Sequence, residues 1–221
     1  MNIGLADWSD KRRNLVAVLS PVLLVAACMS MQFAAGAIVG VWAWVPTILL
    51  FWSGIAIAVL LFGGRPVLSR WLQPAQGSLW WCVPAAAVGL LSLSGFLTHW
   101  QLIGDPLIFV SWLAFGLINP WFEEAYWRGM LIDATASWGG VPSVAYSAAW
   151  FALSHPLIWG VHSMAMRRWP VIFALLFVGV IWAVVYRRSK SLRWTVAGHM
   201  LANLLGMSVP VLLNMYDPSV H

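Results

Sequence analysis

The chain has 221 residues, 62% of them hydrophobic and only 9% charged, with a formal net charge of +5. A soluble domain is about a quarter charged, so these figures, with a mean hydropathy of +0.83, exclude a soluble enzyme and a disordered chain. The twelve Lys and Arg stand in short clusters between apolar runs, which is the pattern of membrane topology signals rather than of a nucleic-acid surface.

Apolar runs at 14–35, 42–62, 79–97, 107–120, 142–158, 170–186 and 195–214 predict about seven membrane spans, seven or eight in all. The fold class is therefore all-α, a polytopic transmembrane helical bundle read as a single integral-membrane domain over 1–221. Lys11, Arg12 and Arg13 precede the first run as in a signal peptide, but the run continues past Ala35 without a convincing cleavage site and reads as a retained span. Residues 63–77 form the longest break. Trp42, Trp44, Trp71, Trp80, Trp81, Trp100, Trp169 and Trp194 lie near the span ends and predict an interfacial belt. Cys28 and Cys82 both lie within apolar runs and read as packing residues.

A cytoplasmic N-terminus places Lys11, Arg12, Arg13, Arg65, Arg70, Arg187, Arg188, Lys190 and Arg193 inside and only Arg167 and Arg168 outside. The positive-inside bias favours that orientation. Ten arginines against two lysines fit a GC-rich bacterial genome, so the expected location is a bacterial cytoplasmic (inner) membrane.

The chain's two glutamates are adjacent, Glu123 and Glu124, at the end of an apolar run broken only by Asn119 and Pro120. An ionisable side chain at membrane depth costs at least about 2.5 kcal/mol, so it persists where it is paired or faces a polar cavity. Glu124 and Arg128, four apart, share a helix face, whereas Glu123 points about 100° away and lacks an obvious counter-charge. The same four-residue spacing recurs in Phe151 with His155 and in His199 with Asn203.

A hinge at Gly139 and Gly140 would separate the helix bearing the glutamates from the one bearing His155. Glu124 is fifteen residues before Gly139 and His155 fifteen after Gly140, which sets both at one level, roughly 22 Å from the turn. His199 lies about 12 Å into its own helix if that helix starts near Ser191. A carboxylate, two imidazoles and a carboxamide then converge in the cytoplasmic half of the bilayer. Such a set can take a proton from water and donate to a developing oxyanion.

These residues resemble the CPBP intramembrane proteases, which include type II CAAX prenyl endopeptidases and bacteriocin-processing or immunity proteins. The resemblance rests on EExxxR as Glu123, Glu124 and Arg128, FxxxH as Phe151 and His155, and HxxxN as His199 and Asn203, in family order over a three-motif core at 120–203. It implies that Glu123 and His155 activate water, that His199 and Asn203 hold the oxyanion, and that Glu124, Arg128 and Phe151 support the site. The implied substrate is a membrane-associated protein or peptide: a CAAX-type tail, a leader peptide or a C-terminal sorting signal. No cofactor is expected. Zinc on Glu123, His155 and His199, with water in the fourth position, is the alternative, although the chain has no HExxH helix and neither histidine has a carboxylate nearby in sequence.

Other readings stand beside this one. Glu124 with Arg128 alone reads as a structural ion pair, His155 alone as a satisfied core histidine and Asn203 alone as interhelical glue. A proton-coupled transporter, or a non-catalytic immunity or scaffold protein, would also carry intramembrane Glu, Arg and His. His162, separated from His155 by Pro156 and Gly160, is set aside, and His99, Asp105, Asp217 and His221 read as loop or terminal residues. Asp133 is expected at the cytoplasmic interface.

Overall fold

A computed structural model describes residues 3–161 and 163–213; His162, Asp217 and His221 lie outside them. Every regular element among the described residues is helical, as a chain that must satisfy its backbone groups within lipid requires. Helix α1 (Ile3–Val39) turns at Gly40, whose φ of +57° suits a residue without a side chain, into α2 (Trp44–Phe62). The two helices are cross-linked in their buried interface by Thr47 Oγ1 donating to Gln32 Oε1 at 2.5 Å.

The break expected at 63–77 contains a helix, α3 (Gly64–Trp71). Its glycine, proline and arginines mask the helix in the sequence, but tertiary contacts fix it. Asp133 accepts hydrogen bonds from Arg70 at 2.5 Å, Trp71 Nε1 at 2.9 Å and Tyr186 Oη at 2.9 Å. Leu192 N donates to the Trp71 carbonyl and Gln76 N to that of Ser189. Residues 64–76 thus form a strap across one end of the bundle, with Asp133 as its anchor.

The run at 79–97 is split into α4 (Cys82–Leu90) and α5 (Leu93–His99). Asp105, read from the sequence as a loop residue, caps α6 (Pro106–Glu124) by accepting from Leu107 N at 2.8 Å and Ile108 N at 3.0 Å, with Pro106 in the first turn. A π-helical turn (Ala125–Met130) and a short α7 (Leu131–Ala134) follow. The chain then reverses at Gly139, where φ is +91°, into α8 (Gly140–Ile158), so the glycine hinge stands where the sequence placed it. Helices α9 (Trp169–Ser189) and α10 (Arg193–Leu205) complete the bundle. Helix α10 packs on α4 with the backbones nearly touching: a Cβ on Gly89 would overlap the Gly198 carbonyl, and one on Gly198 the Ala85 carbonyl.

Four helical segments are long and apolar enough to cross a membrane: Asp10–Phe62, Leu79–Gly104, Pro106–Ala134 and Trp169–Ser189. The first holds both α1 and α2. Over their described residues all seven apolar runs are mainly helical, with turns at 91–92 and 206–207, but α8 and the 13-residue α10 are not among these four segments. The tryptophans divide. Trp80, Trp100 and Trp169 are exposed as a belt requires, whereas Trp44 and Trp71 are buried, edge-on to Phe115 and stacked on Phe62 respectively. Those two pack the core, a distinction that position near a span end does not carry.

Candidate active site

Both glutamates stand at the last turn of α6, immediately before the π-helical turn, a distortion that recurs at functional sites. Glu124 Oε1 lies 3.1 Å from Arg128 Nη1 and 2.8 Å from His199 Nδ1, with Glu124 and Arg128 wholly buried. The expected i,i+4 pair is present, and α10 adds a second partner. His199 Nδ1 carries the proton it gives to Glu124, because a carboxylate only accepts. The histidine therefore has the supporting carboxylate that its sequence neighbourhood lacks, delivered from a residue 75 positions away.

Glu123 forms no ion pair among the described residues, although Arg128 is near enough to act on it electrostatically, and it is not loose. Asn119 Nδ2 donates to its Oε1 at 2.8 Å and Trp127 Nε1 to its Oε2 at 3.2 Å. The amide of Asn119 is itself fixed, because Trp52 Nε1 donates to Asn119 Oδ1 at 2.9 Å and an indole can only donate. A Trp52–Asn119–Glu123 relay thus sets the carboxylate's orientation from α2. Asn119 lies four residues before Glu123, so the i,i+4 rule reaches it; nothing in the sequence points to Trp52.

Phe151 is the centre around which the cluster packs. The Arg128 guanidinium carbon sits 4.1 Å from its ring centroid, the His155 ring 4.8 Å and the His199 ring 5.9 Å. Helix α9 comes close enough to complete this packing because Gly179 offers no side chain against Phe151. From α9, Trp182 stacks on His199 at 4.7 Å and anchors its own indole by donating to the Ala85 carbonyl. His155 Nδ1 donates to the Phe151 carbonyl at 2.7 Å, which leaves Nε2 of a neutral ring with its lone pair free. No hydrogen bond joins Glu123 to His155 among the described residues.

Asn203 is held from one side only. Its Oδ1 accepts from Ser208 Oγ at 3.3 Å, while its buried Nδ2 has no hydrogen-bond partner. A buried unmatched amide donor costs on the order of 1–3 kcal/mol, and it leaves Asn203 Nδ2 available to an acceptor. Glu123, Glu124, Arg128, Phe151, His155, His199 and Asn203 are all buried; contacts join Glu124, Arg128, Phe151, His155 and His199, Glu123 reaches them through Trp127, and Asn203 lies one helical turn beyond His199. Among the described residues, no group of three His, Cys, Asp or Glu side chains is placed to hold a metal ion. The zinc set of Glu123, His155 and His199 is thus not a preassembled ligand shell.

The relay to Glu123 gives an expected result. Asn119→Ala should lower turnover roughly tenfold, a fraction of the 10²–10⁴ that a positioned base supplies. In the background of Glu123→Gln it should have almost no further effect. Additive losses in that cycle would show that Asn119 acts elsewhere.

A buried carboxylate, two oriented imidazoles and an unmatched carboxamide among apolar helices form a set able to hydrolyse an amide. Residues 105–205, from the cap of α6 to the last residue of α10, match the family model of the Rce1-like type II CAAX prenyl endopeptidases. Over that stretch the chain is similar to the CAAX protease family. No curated protein and no solved structure matches it.

Proposed function

We propose that the protein is an intramembrane endopeptidase that hydrolyses a peptide bond of a membrane-associated protein or peptide with a metal-free, glutamate- and histidine-activated water. Glu123 and His155 Nε2 take the proton as water attacks the scissile carbonyl carbon, and that proton passes to the amine as the C–N bond breaks. The unmatched Asn203 Nδ2 is the observation that carries this reading: it is a donor already desolvated and already oriented, as an oxyanion site requires. His199 Nε2 joins it as a donor when the ring is protonated, with Glu124 as counter-charge on the opposite nitrogen.

An apolar cleft of about 270 Å³ supports an apolar, membrane-borne substrate. It lies between α2, α3 and α6 and is lined in part by Phe122 and Ala125, the residues flanking the glutamate pair. A CAAX-type tail, a leader peptide and a C-terminal sorting signal all fit that description. Comparison of the membrane proteomes of cells carrying the wild type or Glu123→Gln tests the reading. New termini that appear only with the wild type support it, and identical termini would refute it.

Activity should survive exhaustive chelation, because no step is assigned to a metal. Loss to chelator with recovery on adding zinc would instead require Glu123, His155 and His199 to rearrange into a ligand set. In a bacterial cytoplasmic membrane with the N-terminus inside, a cysteine placed at position 70 or 188 should be shielded from an external thiol reagent and one at 167 labelled. The reverse pattern would invert the orientation.

A further inference from the structure

The proposed active site leaves two arginines at the end of α9 unused. The side chains of Arg187 and Arg188, like those of Arg65 and Arg168, have no hydrogen bond or ion pair with any described residue, whereas Arg13, Arg70, Arg128, Arg167 and Arg193 each have a partner. They border a cleft of about 680 Å³ between α8 and α9, walled by Val141, Val144, Val180 and Val184. Arg187 lies across Gly140, where a Cβ would stand 3.3 Å from its Nη2. A side chain at 140 would crowd the guanidinium.

Depth decides the kind of occupant. Val180 and Val184 belong to a segment long and apolar enough to cross a membrane, and Arg187 and Arg188 stand near its last residue, Ser189. From Val180 to Arg187 the helix rises roughly 10 Å, so one cleft passes from hydrocarbon depth to headgroup depth and ends at two cations. A wholly polar anion would leave the valine walls to lipid, and a neutral lipid would leave the guanidiniums without an anion. Guanidinium forks match phosphate oxygens in bidentate geometry, and basic pockets between membrane helices suit anionic headgroups.

We propose that the α8–α9 cleft binds an anionic phospholipid, its phosphate held by Arg187 and Arg188 and one acyl chain lying along Val180, Val184, Val141 and Val144. This is independent of what the buried Glu and His cluster does.

The test uses the delipidated full chain in detergent, with binding of phosphatidylglycerol and of phosphatidylcholine with the same acyl chains measured by native mass spectrometry. The wild type should bind phosphatidylglycerol about tenfold tighter, and Arg187→Gln/Arg188→Gln should abolish that preference with the melting temperature in phosphatidylcholine unchanged. Gly140→Leu should reduce the preference with both arginines present, because its side chain takes the guanidinium's place. Arg168→Gln, which removes a cation outside the cleft, should keep it. If the double variant does not fold, Arg188→Gln alone, at an exposed position, should lower the preference about threefold. Equal binding of the two lipids by the wild type, or full preference in Arg188→Gln and Gly140→Leu, would overturn the proposal. So would displacement of the lipid by millimolar glycerol phosphate, which would make the cleft a site for a free anion.

Discussion

Glu123→Gln is expected to lower peptide cleavage roughly 100-fold or more, within the range a general base contributes, while the chain still folds. The carboxylate is the proposed proton acceptor, and a carboxamide of the same shape cannot take a proton from water. The structure adds a structural term to this expectation. Both carboxylate oxygens accept hydrogen bonds, from Asn119 and Trp127, and Gln can offer an acceptor to only one of those donors. The other is left facing an N–H, at a cost of about 1–3 kcal/mol. The melting temperature should therefore fall modestly rather than stay fixed. Glu123→Asp distinguishes the two contributions: it keeps the base but withdraws it by a methylene, so it should retain more activity than Gln with a similar loss of stability. Cleavage rate and melting temperature measured together decide this, and normal cleavage by Glu123→Gln would remove Glu123 from the chemistry.

The parts of this site that the sequence reveals are those that helical periodicity brings together. Glu124 with Arg128 is a four-residue interval on a continuous helical path, and Phe151 with His155 is another; both contacts form as that interval requires. The Gly139 reversal is legible for a similar reason, because a positive φ leaves its mark as glycine. Contacts between helices leave no such mark. His199 reaching Glu124, Trp52 reaching Asn119 and Trp182 stacking on His199 depend on how helices cross, which here follows from small residues such as Gly89, Gly179 and Gly198 that periodicity does not single out. Helix α3 was hidden for the converse reason. Its local composition reads as a turn, and its structure is imposed by Asp133 and by two backbone hydrogen bonds, to Ser189 and from Leu192.

Glu124→Gln should behave differently from its neighbour, failing in stability first. Glu124 is the sole carboxylate in an ion pair with Arg128 among the described residues, and Arg128 Nε, Nη1 and Nη2 make no well-aligned hydrogen bond, leaving the guanidinium dependent chiefly on this charge, then on the more distant Glu123 and on the Phe151 and Trp182 faces. Breaking a buried pair from one side costs about 3–5 kcal/mol, because the remaining charge is left uncompensated. The same substitution weakens the tie that holds His199, and with it α10, against α6. Loss of activity in this variant is therefore not evidence of a chemical role, and a second substitution is needed to separate the two. Buried ion pairs can often be replaced by apolar residues of similar volume at little or no net cost, so Glu124→Gln/Arg128→Met should recover much of the melting temperature lost by Glu124→Gln alone. Cleavage should not return with it, because His199 would still lack the carboxylate that opposes its charged, oxyanion-donating form. Recovery of both stability and cleavage would reduce Glu124 to a structural partner of Arg128, and a stable but inactive Glu124→Gln would exchange the roles of the two glutamates.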